Sequence, residues 1–88
     1  MKRKNGFIAR QIAGQYMIMA VGDSANELCG YIKINESGMF IWEQLCADTD
    51  ERTVAEALAQ RYGIGYERAE NDTRAFLKVL REAGAVTE

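Results

Sequence analysis

Short apolar runs bounded by turn formers occupy the first third of the chain, and from Asn35 onward the apolar spacing changes to that of helices. Residues 7–12 (FIARQI) have a strand-like mix. Ala13-Gly14 then supplies a two-residue turn with glycine in second place, which suits a tight hairpin. Residues 15–21 (QYMIMAV) form the return strand. Both of its faces are apolar, Tyr16, Ile18 and Ala20 on one and Met17, Met19 and Val21 on the other, so it is expected to be central in its sheet. After the turn-rich GDSANE segment, residues 28–34 (LCGYIKI) predict a third strand, with Gly30, Ile32 and Ile34 alternating against Cys29, Tyr31 and Lys33. Three short strands on short loops predict an antiparallel meander.

Asn35 is placed to cap a helix, with Glu36 in the first turn where the helix dipole favours an acid. Met39, Trp42, Leu45 and Cys46 share one stripe of that helix and Phe40 lies off it, so it is expected to be buried around most of its circumference. Residues 47–52 read as a charged turn. Thr53-Val54-Ala55-Glu56 matches a capping box, in which the Thr53 hydroxyl and Glu56 carboxylate satisfy each other's backbone donors. Val54, Leu58 and Tyr62 are the buried face of this second helix, and Gly63 ends it as a left-handed residue. Residues 66–83 hold the longest helical pattern, with Ala69, Thr73, Phe76, Leu77, Leu80 and Ala83 as its stripe and Gly84 as its stop. The order is three strands followed by three helices, an α+β domain over residues 7–88 preceded by a basic tail, residues 1–6, with no internal repeat.

At 88 residues and 48% apolar content the chain suits one globular domain. The longest apolar runs, residues 16–21 and 39–42, are far too short to span a membrane, and no apolar segment of signal-peptide length follows Met1-Lys2-Arg3-Lys4. A cytoplasmic protein is expected. Two cysteines, Cys29 and Cys46, with no histidine, fall short of a structural zinc site, so no metal is expected and both thiols are read as buried. The absence of histidine removes the commonest general base and the Ser–His and Cys–His pairs. No glycine-rich phosphate loop is present. A binding protein without catalysis or cofactor is expected.

Two surfaces are candidates for binding. Arg74, Lys78 and Arg81 lie within about 60° of one another on the last helix, a basic strip that suits either a DNA-reading helix or a solvated face. Glu67 and Glu70 flank it and the chain carries net charge −2, which supports duplex binding poorly. The third strand is the other candidate. It is apolar and nearly uncharged, and if it stands at a sheet edge its unpaired backbone groups are a template for one more strand; periodicity alone leaves edge and centre equally open. Met39-Phe40-Ile41-Trp42 reads as core.

The segments FIARQIAGQYMIMAVG, GYIKINESGMFIWEQL, ERTVAEALAQRYGI and AENDTRAFLKVLREAGAV together resemble the pyrroloquinoline quinone biosynthesis protein D (PqqD) family. The likeness runs from about Phe7 to Val86. Its most specific parts are Asn35-Glu36-Ser37-Gly38 with Ile41-Trp42, then Arg52-Thr53-Val54, then Phe76-Leu77 and Gly84. The resemblance implies a winged-helix-like fold of three antiparallel strands and three helices that is not an enzyme. It implies binding of the leader segment of a ribosomally made precursor peptide and its presentation to a modifying enzyme, often a radical S-adenosylmethionine enzyme. The leader is implied to add as a strand beside the third strand, opposite the third helix. Leu28, Cys29, Tyr31, Ile32 and Lys33 are then the strand wall, and Arg74, Leu77, Lys78 and Arg81 the helix wall. Leu77 is expected to accept apolar leader side chains and the basic strip to pair with acidic ones. An open edge can equally pair with a second copy, so a homodimer is a further expectation; nucleic-acid and membrane partners are not expected. Ser37, the long acidic turn at residues 47–51, Gly65 and Ala85-Val86 depart from the family pattern and favour a peptide pathway other than that of pyrroloquinoline quinone.

Overall fold

The computed structural model describes residues 1–21 and 31–87. It runs β1 (Lys2–Arg3), β2 (Phe7–Ile12), β3 (Gln15–Ala20), β4 (Tyr31–Ile34), α1 (Glu36–Gln44), α2 (Glu51–Tyr62), α3 (Tyr66–Glu82) and β5 (Val86–Thr87). The expected α+β order of a three-stranded antiparallel sheet and three helices is present, in the sheet order β2-β3-β4. Ala13 and Gly14 both take positive φ, 52° and 78°, which turns β2 into β3 with the twist a two-residue hairpin needs. β3 is central, as its two apolar faces require, and among the described residues β4 is an edge strand. The expected third strand began at Leu28; Leu28 and Cys29 lie outside the described residues.

Residues 1–6 are more than a tail. β1 pairs antiparallel with β5, Lys2 opposite Thr87 and Arg3 opposite Val86. The Arg3 and Lys4 N–H groups donate to the Leu45 and Ala85 carbonyls at 2.9 and 2.8 Å. The Met1 amine bonds the Asp48 carboxylate, which holds that carboxyl below its usual range. The Arg3 guanidinium sits 5.6 Å from the centre of the Trp42 ring. Strands of two residues are too short to leave a periodic signal, so only the folded chain reveals this clasp of its two ends.

The core gathers Ile18 from β3, Ile41, Trp42 and Leu45 around α1, Leu58 from α2, and Leu77 and Leu80 from α3, each at most 2% exposed. Trp42 is core as expected. Met39 is only half-buried, and Ile41 takes the buried place. Cys46, expected to be buried, is exposed because α1 closes at Leu45 and the helical stripe does not continue past it. Thr73 is fully buried and its hydroxyl has no hydrogen-bond partner among the described residues.

The helix ends follow side-chain chemistry, with one revision. Asn35 caps α1 as expected, its Oδ1 accepting the Gly38 N–H at 2.8 Å. α2 starts earlier than the expected capping box. Asp50 is its cap, accepting the Thr53 N–H at 2.7 Å, so Thr53 sits inside the helix. A carboxylate both accepts this bond and favours the positive end of the helix dipole, and it outcompetes the Thr53 hydroxyl for the position. Gly63 ends α2 at φ 63°, as expected. α3 starts at Gly65 with no side-chain cap.

Two predictions follow from these caps. Gly65 has φ −64° and ψ 149°, and a Cβ there would meet nothing within 4 Å. Gly65→Asp should therefore raise stability in urea by about 0.5–1 kcal/mol through a new cap and a stiffer unfolded chain. The Thr53 N–H and then the Thr53 hydroxyl hold the Asp50 carboxyl below its ordinary value of 3.8. A lowered native pKa contributes stability that is present above the unfolded pKa and lost as pH falls through the native one. Asn caps as well as Asp but does not titrate. The stability difference between wild type and Asp50→Asn should thus shrink as pH is taken below 3.8, in acid-dependent melting.

Candidate functional site

The open side of the sheet is the β4 edge. β4 pairs with β3 through Tyr16–Ile34, Met17–Lys33, Ile18–Ile32 and Met19–Tyr31, and no strand is paired to its other side among the described residues. Its side chains alternate as a strand's must. Ile32 and Ile34 are half-buried against the core, while Tyr31 and Lys33 face out, Tyr31 at 54% exposure. Unpaired N–H and C=O groups on such an edge are donors and acceptors at fixed spacing.

Beside that edge, β4 passes into α1 through the single residue Asn35. Its cap orients the first turn of α1, and Gly38 in that turn lies against Phe76 of α3. A Cβ on Gly38 would lie 3.0 Å from Phe76 Cε1 and 3.2 Å from Ile34 Cβ. Any larger residue would require Phe76, Asn35 or Ile34 to give by a few tenths of an ångström, and glycine lets the three meet without that shift. The result is a cavity of about 520 Å³ between the start of α1 and one flank of α3, lined by Asn35, Ser37, Gly38 and Ile41 and, from α3, by Arg68, Asp72, Ala75, Phe76 and Val79. Val79 is 43% exposed and Phe76 half-buried, so the α3 wall offers an accessible apolar part beside the charged Arg68 and Asp72.

A cavity of similar size, about 510 Å³, lies at the α2–α3 corner among Arg52, Glu56, Ala59, Gln60, Ile64 and Tyr66. Its polar groups are already satisfied. Arg52 pairs with Glu56 at 3.1 Å, and the Tyr66 hydroxyl donates to Glu70 at 3.0 Å. It lies away from the β4–α1 junction, whereas the first cavity includes Asn35, the residue that follows β4, and is the stronger site.

The strand-side expectations within the described chain, Tyr31, Ile32 and Lys33, do line the edge. The expected helix-side residues are divided between core and surface. Leu77 is 0% exposed, a core side chain that no ligand reaches without unpacking the domain. Arg74, Lys78 and Arg81 are exposed but do not line the cavity; at about 100° per residue they fall on the opposite flank of the buried Ala69–Thr73–Leu77–Leu80 stripe from Ala75, Phe76 and Val79. Arg74 is paired there with Glu70 at 3.4 Å and with Glu51 of α2 at 3.7 Å, and the Arg81 guanidinium approaches the Met1 sulfur at 3.7 Å. A helical wheel shows which residues cluster and not which flank of the stripe faces the strand. Ala75, Val79 and Gly38 were missed. Gly38 carried a usable signal, a glycine inside a helix with no turn to explain it.

Among the described residues, no cluster of His, Cys, Asp or Glu is arranged to hold a metal ion, and no helix is long and apolar enough to cross a membrane. The model of the family described as Coenzyme PQQ synthesis protein D (PqqD) matches residues 15–86. No curated protein matches the chain. Among solved structures, TbiB1, in complex with the TbiA(beta) leader peptide, is similar with a TM-score of 0.73 at 19% identity, over 97% of this chain and 93% of that one. That likeness is one of fold.

The packing predicts two contrasting variants. Leu77→Ala should cost about 2–5 kcal/mol of stability in urea, because it empties a core position. Gly38→Val should leave a folded domain in which Phe76 is displaced, visible as shifted Phe76 ring and Ile34 methyl resonances.

Proposed function

This chain belongs to the PqqD family, and from that premise we propose that it binds the leader segment of a ribosomally synthesised precursor peptide and presents it to a modifying enzyme. The leader adds as a fourth strand on the outer edge of β4, with the α3 flank of Ala75, Phe76 and Val79 as the facing wall. The single observation that carries this reading is the position of β4, an edge strand among the described residues, joined through Asn35 to a cavity of mixed lining that holds the apolar Ala75, Phe76 and Val79 beside Arg68 and Asp72. A protein of the same fold has been solved with a leader peptide bound, which supports it.

The mechanism needs no catalytic group. Ladder hydrogen bonds from Tyr31 to Lys33, with Leu28 and Cys29 as the proposed continuation, give affinity that is insensitive to leader sequence, each worth about 0.5–1.5 kcal/mol net. Alternate leader side chains point into the cavity, where Phe76 and Val79 select apolar ones. The one-residue joint at Asn35 holds both walls before the peptide arrives, so less ordering opposes binding. The basic strip has no part in the groove. The partner enzyme is of the radical S-adenosylmethionine kind often served by this family. The pathway is one other than that of pyrroloquinoline quinone, as the departures at Ser37, residues 47–51, Gly65 and Ala85-Val86 suggest.

The test compares neighbours on opposite flanks of α3. With the leader peptide of the chain's own precursor, Val79→Glu should weaken binding about tenfold or more, since it places a charge against apolar leader side chains. Lys78→Glu should change it by about twofold or less. Fluorescence anisotropy reads both, and the reverse order would place the groove on the other flank.

A further inference from the structure

The face of the sheet turned away from the helices is apolar and positively charged. The strand registers set Ile8, Met19 and Tyr31 in one row across the three strands and Arg10, Met17 and Lys33 in the next. These six point away from the core, which is instead packed by the alternate residues Phe7, Ala9, Ile18, Ala20, Ile32 and Ile34. Ile8, Met17 and Met19 are half-buried, and Arg10, Tyr31 and Lys33 are exposed. The three strands contain no Asp or Glu at all, although the chain has 13 acidic residues against 11 basic ones. Among the described residues every carboxylate lies outside these three strands, and the sheet presents a basic face on an acidic protein.

We infer that this face docks the modifying enzyme, through an apolar patch on the enzyme rimmed by carboxylates, and that the bound leader extends it. The inference rests on the leader occupying the β4 edge. In an added strand successive side chains go to opposite faces. Those that do not enter the cavity then continue the two rows beyond Tyr31 and Lys33. The enzyme meets one surface made of adaptor and leader together, so it binds the complex more tightly than the adaptor alone, and by linkage it tightens the leader's hold in equal measure. Charge selects this occupant. A second copy would bring Arg10 and Lys33 of both chains into one contact with no strand carboxylate to pair them, whereas an acidic partner neutralises them.

The test leaves the leader-binding residues intact. Two variants are made on β2 and β3, Arg10→Glu and the pair Ile8→Thr with Met19→Thr, since threonine is compatible with strands. Titration of the leader onto each reports the leader-binding role alone, and affinity is expected to stay within about twofold of wild type. Binding of the modifying enzyme that acts on the same precursor is then measured with and without leader. The expected result is an enzyme affinity about tenfold or more lower for both variants, with a leader-dependent gain in the wild type. Enzyme affinity unchanged in variants that still bind leader overturns the docking face. So does a larger loss from Arg74→Glu with Lys78→Glu, or sedimentation showing a wild-type dimer that these substitutions break apart. A wild type that never binds leader overturns the leader role instead, and the without-leader arm still decides the face.

Discussion

The Asn35 side chain accepts the Gly38 N–H at 2.8 Å, and around that bond three elements are set against one another. It ends β4, starts α1 without an intervening loop, and orients the helix turn against which Phe76 of α3 packs. The strand edge and the α1 side of the cleft therefore meet at a single capped residue, with no flexible chain between them. A longer connection would let the two walls move apart, and any side chain at Gly38 would have to displace Phe76 or Ile34. A binding groove needs its walls held before the ligand arrives, and here a cap and a missing Cβ hold them.

The rest of the fold supports that joint from below. Trp42, one turn further along α1, is buried among the helices, with the Arg3 guanidinium near its ring. The β1–β5 clasp ties the first residues to the segment that follows α3. In a chain of this size the core is small, and joining its ends adds backbone hydrogen bonds where fraying would otherwise begin.

One helix serves three environments. α3 buries Ala69, Thr73, Leu77 and Leu80, presents Ala75, Phe76 and Val79 to the cleft on one flank, and carries Arg74, Lys78 and Arg81 on the other. The basic strip is partly neutralised by Glu70 and Glu51, so it behaves as a solvated face stabilised by modest ion pairs. The sheet is similarly divided between a core face and an outward basic one. In the proposed role, binding depends on which flank of α3 lies next to the β4 edge.

The sequence by itself determined the elements. Period-two alternation marked the hairpin and the central β3, Asn35 and Gly63 marked helix ends, and the apolar stripes named Trp42, Leu58 and Leu80 as core, because these signals are local and read within a few residues. The family likeness at Asn35-Glu36-Ser37-Gly38 was also visible there. Tertiary structure alone decided the rest. Leu77 and Val79 lie two residues apart, yet one is sealed in the core and the other faces the cleft, since the choice depends on how α3 is rotated against α1. The β1–β5 pairing, the Asp50 cap in place of Thr53 and the exposure of Cys46 likewise turn on contacts or competitions that periodicity does not record. A wheel fixes angles between side chains on one helix; only packing against a second and third element says what each angle faces.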